Sequence, residues 1–181
     1  MRKNPRRSEA KTDGAQAEKI LIREARPEEL AAVEALVKDA YREFQPLFPE
    51  NVWRAWMANI KKVIRAPAGI LLVAADAHGV LHGVVKFYPD AAQAALGNWP
   101  QGAATMRILA VKPQSRGQGL GRRLVLECLR RAREFRVPAI YLYTGPFMAA
   151  ARHLYEQLGF ERASEYDKKD GPIAYVLNLA K

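Results

Sequence analysis

The sequence predicts a mixed α/β (α+β) domain, a sheet with helices packed on it. Three observations lead there. Segments of strand period, with apolar and polar residues alternating, are interspersed with segments of helical period. Their order along the chain is β-α-α-β-β-β-α-β-α-β-β. The 181 residues, 49% of them hydrophobic, suit one domain with a sizeable core.

The first strand is "KILIREAR" (19–26), which alternates as a half-buried strand does. Pro27 then opens "PEELAAVEALVKDAYREF", with acids in the first turn and Leu30, Val33, Leu36, Val37, Ala40 and Phe44 on one face. That is a helix with proline at its favoured first position. A second helix over 50–65 carries Val52, Trp53, Trp56, Met57, Ile60, Val63 and Ile64 at helical spacing. Its aromatics read as core, with a substrate-pocket wall as the alternative. "ILLVAADA" (70–77) and "VLHGVVKFYP" (80–89) flank a His78-Gly79 turn and form an antiparallel hairpin. Residues 90–102 are a loop, ended by glycine and proline signals. Strand 104–112, helix 120–135, strand 139–144, helix 147–158 and strands 160–167 and 173–180 complete the order.

Composition narrows the function. No apolar run approaches the roughly 20 residues of a membrane-spanning helix. One cysteine, Cys128, falls in the apolar stripe of helix 120–135, so a packing role is expected of it, and three scattered histidines give no metal-ligand pattern. Residues 1–18 are polar, basic and without period, which reads as a disordered tail ahead of a single domain over 19–181. With no secretory pattern at the start, a cytoplasmic protein with no membrane partner is expected. The net charge is +10, and residues 107–136 hold nine basic and two acidic residues. Charge gathered in that way suggests an anionic ligand there, or else a solvated helix face.

At the centre of that charge lies "QSRGQGLGRR" (114–123), between a strand end and a helix N-terminus. Unpaired backbone N–H groups and the helix dipole converge at such a place, and glycines let the backbone approach an anion. No Lys-Ser or Lys-Thr closes the loop as in a P-loop. Gly117, Gly119 and Gly121 are spaced GxGxG, which is not the dinucleotide fingerprint.

The stretch "MRILAVKPQSRGQGLGRRLV", followed by a strand and "AARHLYEQLGF", resembles the GNAT superfamily of acyl-CoA N-acyltransferases. The family's Arg/Gln-x-x-Gly-x-Gly/Ala loop matches Arg116, Gly117, Gln118, Gly119, Leu120 and Gly121, and its "LYExLGF" matches 154–160. The resemblance implies a mostly antiparallel sheet with helices on both faces. It also implies a splayed parallel strand pair, 104–111 with 139–144, forming the acyl-CoA cleft. It implies acetyl-CoA as cosubstrate, with no metal. The loop amides would hold the pyrophosphate, and nearby basic residues such as Arg122 would meet phosphates. The strand at Leu109, Ala110 and Val111 would hold the pantetheine arm, with a backbone N–H near Leu109 polarising the thioester carbonyl. Tyr155, at the tyrosine of "LYExLGF", would be the general acid for the leaving thiolate.

Two positions depart from the family pattern. Thr105 stands where many members carry a glutamate, and Met148 where many carry an asparagine that contacts the cofactor. Threonine is no general base, which leaves Glu43 or a water chain for that role. An alkyl amine of pKa about 10.4 is rarely neutral at pH 7, whereas an α-amino group near 8 often is. The acceptor expected is therefore a small-molecule, peptide or aminoacyl amine of low pKa. Nucleic acid enters only as the carrier of such an amine. The competing readings are a basic nucleic-acid-binding module and an acyl-CoA sensor without turnover.

Overall fold

The structure is a computed structural model and describes residues 19–179. The predicted tail (1–18) and the end of the last predicted strand lie outside these residues. Seven strands form one sheet in the order β1-β2-β3-β4-β5-β7-β6. They are β1 (Leu21–Glu24), β2 (Ile70–Ala75), β3 (Leu81–Tyr88), β4 (Ala104–Val111), β5 (Ala139–Thr144), β6 (Glu161–Arg162) and β7 (Ile173–Asn178). Every neighbouring pair is antiparallel except β4 and β5, which are parallel.

Four α-helices cover the two faces: α1 (Leu30–Tyr41), α2 (Glu50–Arg65), α3 (Leu120–Glu134) and α4 (Ala149–Gln157). Alternation along the strands divides the core accordingly. Leu72, Val85, Phe87, Met106, Ile140 and Leu142 point to the face where Leu124, Val125, Cys128 and Leu129 of α3 and Tyr155 of α4 pack. Val73, Val84 and Ala110 point the other way, to Val33, Val37, Trp53 and Ile60 of α1 and α2. Cys128 is fully buried, and burial pushes its thiol pKa up, as a packing role requires. Lys86 is buried on the α1/α2 side and donates to the carbonyls of Val63 (2.7 Å) and Ala66 (2.6 Å), closing the C-terminus of α2. Burial lowers its pKa to about 8. Among the described residues no helix is long and apolar enough to cross a membrane.

The elements with a strong period match the sequence reading, α2 and β5 to the residue. The predicted strand over 160–167 shortens to Glu161–Arg162 and is followed by a 3-10 turn at Ser164–Tyr166. The reason is local: the Asp167 carboxylate accepts the Ala174 N–H (2.7 Å) and binds Arg162, so the chain turns where an extended strand would part these groups. The first predicted helix is divided as well, with 3-10 segments at Pro27–Glu29 and Arg42–Leu47 around α1.

Candidate active site

The parallel pair opens like a V. β4 and β5 are in register only from Ala104–Met106 against Ile140–Leu142, although β4 runs on to Val111 and β5 to Thr144. A bulge diverts β4. Val84 pairs with Ala110 and Lys86 with Arg107, so two residues of β4 face the single Val85. Ile108 in the bulge has φ +54°, a left-handed conformation that a β-branched residue seldom adopts. The Tyr41 hydroxyl, at the end of α1, donates to the Leu109 carbonyl at 3.1 Å and fixes the bulge from above.

Past the end of β4, the chain makes a 3-10 turn at Pro113–Ser115 and enters the glycine segment that starts α3. Gly117 and Gly119 have φ +77° and +72°, and a Cβ at either would meet no atom of the described residues within 4 Å. Their concave side is open. The backbone N–H groups of residues 117–122 find no acceptor among the described residues. Together with the positive end of α3 they make an anion cradle. Leu120 is buried beneath it, and at Gly121 a Cβ would make ordinary contact with Leu154 and Val111, at 3.5 and 3.7 Å. The Gln118 and Arg122 side chains are exposed at the rim.

Arg116 is placed differently from Arg122. Its guanidinium donates to the Ala40 carbonyl (2.9 Å) and pairs with Glu43 at 2.7 Å, tying the end of α1 to the cradle. Glu43 thus stands at the cradle, bound to a cation. A second tie comes from β3. His82 lies 2.8 Å through Nδ1 from the Ser115 hydroxyl and 3.1 Å through Nε2 from Asp76. Asp76 can only accept, so in neutral His82 Nε2 carries the proton and Nδ1 accepts from Ser115. The Asp76 carboxylate also accepts from the His78 and Val80 amides, and its pKa is lowered chiefly by the His82 hydrogen bond.

Tyr155 comes to the V from the α3/α4 side. It is 5% exposed, with its ring against Phe160 and Tyr175. Burial raises its pKa far above the usual tyrosine range, and the nearby Tyr41 hydroxyl and Cys128 thiol add to the effect. The hydroxyls of Tyr41, Tyr143 and Tyr175 each bond within the protein; that of Tyr155 has no such partner among the described residues. Thr105 is buried in the middle of the sheet, opposite Tyr88 and Tyr141. Met148 caps α4, and its sulfur accepts from the Thr144 hydroxyl at 3.6 Å.

Aromatic residues crowd both sides of the opening. Trp53 is core, as the helical spacing suggests, while Trp56 is half-buried against Tyr41, Phe48 and Phe147. Sequence reasoning missed Tyr41, which looks like one more residue of an amphipathic helix. It also missed Trp99, Tyr141, Tyr143 and Tyr166, which pack together beside β5. For Tyr141 and Tyr143 the signal was there: two tyrosines at strand period, facing away from the core residues Ile140 and Leu142.

Comparisons with known proteins agree with this geometry. Residues 30–160 match the family model described as the acetyltransferase (GNAT) family. An N-acetyltransferase of Schizosaccharomyces pombe is 31% identical over 154 residues, 84% of this chain and 89% of that protein. A mycothiol acetyltransferase of Thermomonospora curvata is 28% identical over 175 residues, and the match spans 84% of this chain but only 55% of that protein. Among solved structures, the N-acetyltransferase YhbS of Escherichia coli in complex with CoA matches with a TM-score of 0.63 at 27% identity, covering 91% of this chain and 83% of that one. The paia N-acetyltransferase of Thermoplasma acidophilum in complex with coenzyme A is alike in fold, with a TM-score of 0.70 at 15% identity over 88% of this chain and 99% of that one. Glycine loop, opened V and family match coincide on one segment: this chain belongs to the GNAT family of acetyltransferases.

Proposed function

We propose that the protein transfers an acetyl group from acetyl-CoA to a primary amine by direct attack. The observation that carries this is the row of unpaired amides over 117–122 at the open end of the V between β4 and β5. The amides and Arg122 hold the pyrophosphate, and the edge of β4 at Leu109, Ala110 and Val111 receives the pantetheine arm. Bound acetyl-CoA supplies the activated acyl carbon. A backbone N–H at the Leu109 bulge polarises the thioester carbonyl as the amine nitrogen bonds to that carbon and the carbon–sulfur bond breaks. Tyr155 donates its proton to the departing thiolate, and the extra proton of the acylated nitrogen returns through water to the Tyr155 oxygen.

The Tyr155 hydroxyl carries its proton at working pH as any tyrosine does, and burial makes it a weaker acid still, so its proton moves only as charge builds on the departing sulfur. Arg116 and Glu43 act on the reaction only through the cradle they tie down. Thr105 offers no carboxylate beside the V, so the acceptor is expected to arrive neutral, as an α-amino group or another weakly basic amine. The same lack of a carboxylate favours, as the second reading, a sensor that binds acyl-CoA without turnover. Free-thiol release from acetyl-CoA across a panel of primary amines separates the two. Release that depends on amine, fastest for α-amino acceptors, is the expected result. Tight coenzyme A binding with no release on any amine makes the protein a sensor.

A further inference from the structure

α1 and α2 cover the strands up to β4 and leave the same face of β5 to other parts of the chain. There Tyr141 and Tyr143 project, Tyr141 level with Thr105 and Tyr143 just past the last paired rung of the V. The indole of Trp99, from the loop before β4, fills the space between them and Tyr166. It lies 5.1 Å from Tyr141 at 26°, 4.5 Å from Tyr143 and 5.4 Å from Tyr166. The Tyr143 hydroxyl donates to the Tyr166 carbonyl at 2.7 Å, so two walls of this slot are fixed to each other.

The indole is an imperfect occupant. Its Nε1 is buried with no hydrogen-bond partner among the described residues, a state folded proteins avoid because the donor gave up water for nothing. It reaches the slot by folding back over Gly97, where a Cβ would lie 2.4 Å from the ring. The loop around it turns through left-handed residues at Ala95, Gly97 and Gly102. A flat ring with no N–H would make the same ring contacts without the orphaned donor, and the displaced indole would recover its water.

The geometry points to an acceptor-binding slot: Tyr141, Tyr143 and Tyr166 take the phenyl-type side group of an aromatic primary amine, and Trp99 is the plug that this group displaces. This rests on the transferase reading above and deepens it, since the slot opens beside the rung where β4 and β5 part.

The test uses the full chain saturated with coenzyme A, with L-phenylalaninamide and glycinamide as probes. Indole emission should shift to the red on adding L-phenylalaninamide, saturably, and not on adding glycinamide. The shift should vanish in Trp99→Phe, which leaves Trp53 and Trp56 in place. With acetyl-CoA, kcat/KM for L-phenylalaninamide should exceed that for glycinamide by about tenfold, roughly the value of burying part of a ring, and Tyr141→Ala should erase the difference. Trp99→Ala should lower the KM for L-phenylalaninamide; a rise would make the indole a fixed wall and overturn the plug. With coenzyme A binding intact by calorimetry, an absent shift, a shift that survives Trp99→Phe, or equal turnover of the two amides would overturn the slot. An emission shift without thiol release from any amine would keep the slot and sink the transferase reading instead.

Discussion

Tyr155 is the side chain on which the proposed chemistry turns. Its ring is core and its hydroxyl is not, because the ring packs on Phe160 and Tyr175 while the oxygen finds no protein partner among the described residues. Tyr155→Phe therefore removes a proton donor and keeps nearly all the packing. The variant should lose on the order of 10²-fold in kcat, with KM for acetyl-CoA and Tm nearly unchanged. Steady-state kinetics and thermal melts on the same preparations check this. An unchanged kcat with a lowered Tm would make Tyr155 a core aromatic only. The motif around this residue made it legible in the sequence. Tyr41 was not legible, since its bond to the Leu109 carbonyl joins residues 68 positions apart and leaves no local trace.

At the scale of elements, the cradle works only if the chain enters it at a fixed angle. Two braces set that angle: Arg116 to Ala40 and Glu43, and the Asp76–His82–Ser115 chain from the β2–β3 hairpin. His82→Phe keeps the ring and removes both hydrogen bonds. KM for acetyl-CoA should rise about tenfold, the equivalent of one hydrogen bond to a charged group, while kcat stays close to wild type. Ser115→Ala should move KM the same way by less. A fall in Tm with KM unchanged would show that the brace serves stability alone. Elements defined by a period, such as α2, β5 and the hairpin, were readable from their own residues. What the sequence did not announce was geometry imposed by partners. Ile108 is a good strand former held at positive φ by the registers on either side of it, and that bulge opens the V. Likewise the segment after Phe160 alternates like a strand but turns because Asp167 binds back to Arg162 and Ala174.

For the molecule as a whole, much of the positive charge that first suggested an anionic ligand is already paired. Arg130 and Arg131 on α3 bind Glu127, Glu134 and Glu24, and Arg123 donates to the Ile20 carbonyl. Among the described residues Arg122 and Arg123, beside the cradle, and Arg133 and Arg136, at the far end of α3, have no acidic partner, so the unpaired charge sits at both ends of the helix and only part of it faces the cradle. The pairing also sets the acid limit of stability. The hydrogen bond from Arg130 holds the Glu127 pKa at about 2, and that from Arg23 holds Glu29 at about 2. Both values lie below the unfolded value, so the unfolded chain binds more protons between about pH 2 and 4.5. Stability from these pairs is full above that window and is lost as pH falls through it. After screening at the partly exposed arginines, the loss should be on the order of 2 kcal/mol. Urea unfolding at pH 6 and pH 3 measures it, and Glu127→Gln should flatten the difference; an equal slope in the variant would remove Glu127 from the account.

The central claim is that the amides over 117–122 are a cradle for coenzyme A, and calorimetric titration of coenzyme A into wild-type protein, Arg122→Ala and Gly119→Val tests it most directly. Gly119 has φ +72° and an open space where its Cβ would stand, so valine strains the backbone and fills the concave side. The account predicts one site in the wild type, affinity several-fold weaker in Arg122→Ala and at least about tenfold weaker in Gly119→Val, with both variants folded. Wild-type affinity in folded Gly119→Val, or no binding by the wild-type protein, would contradict it.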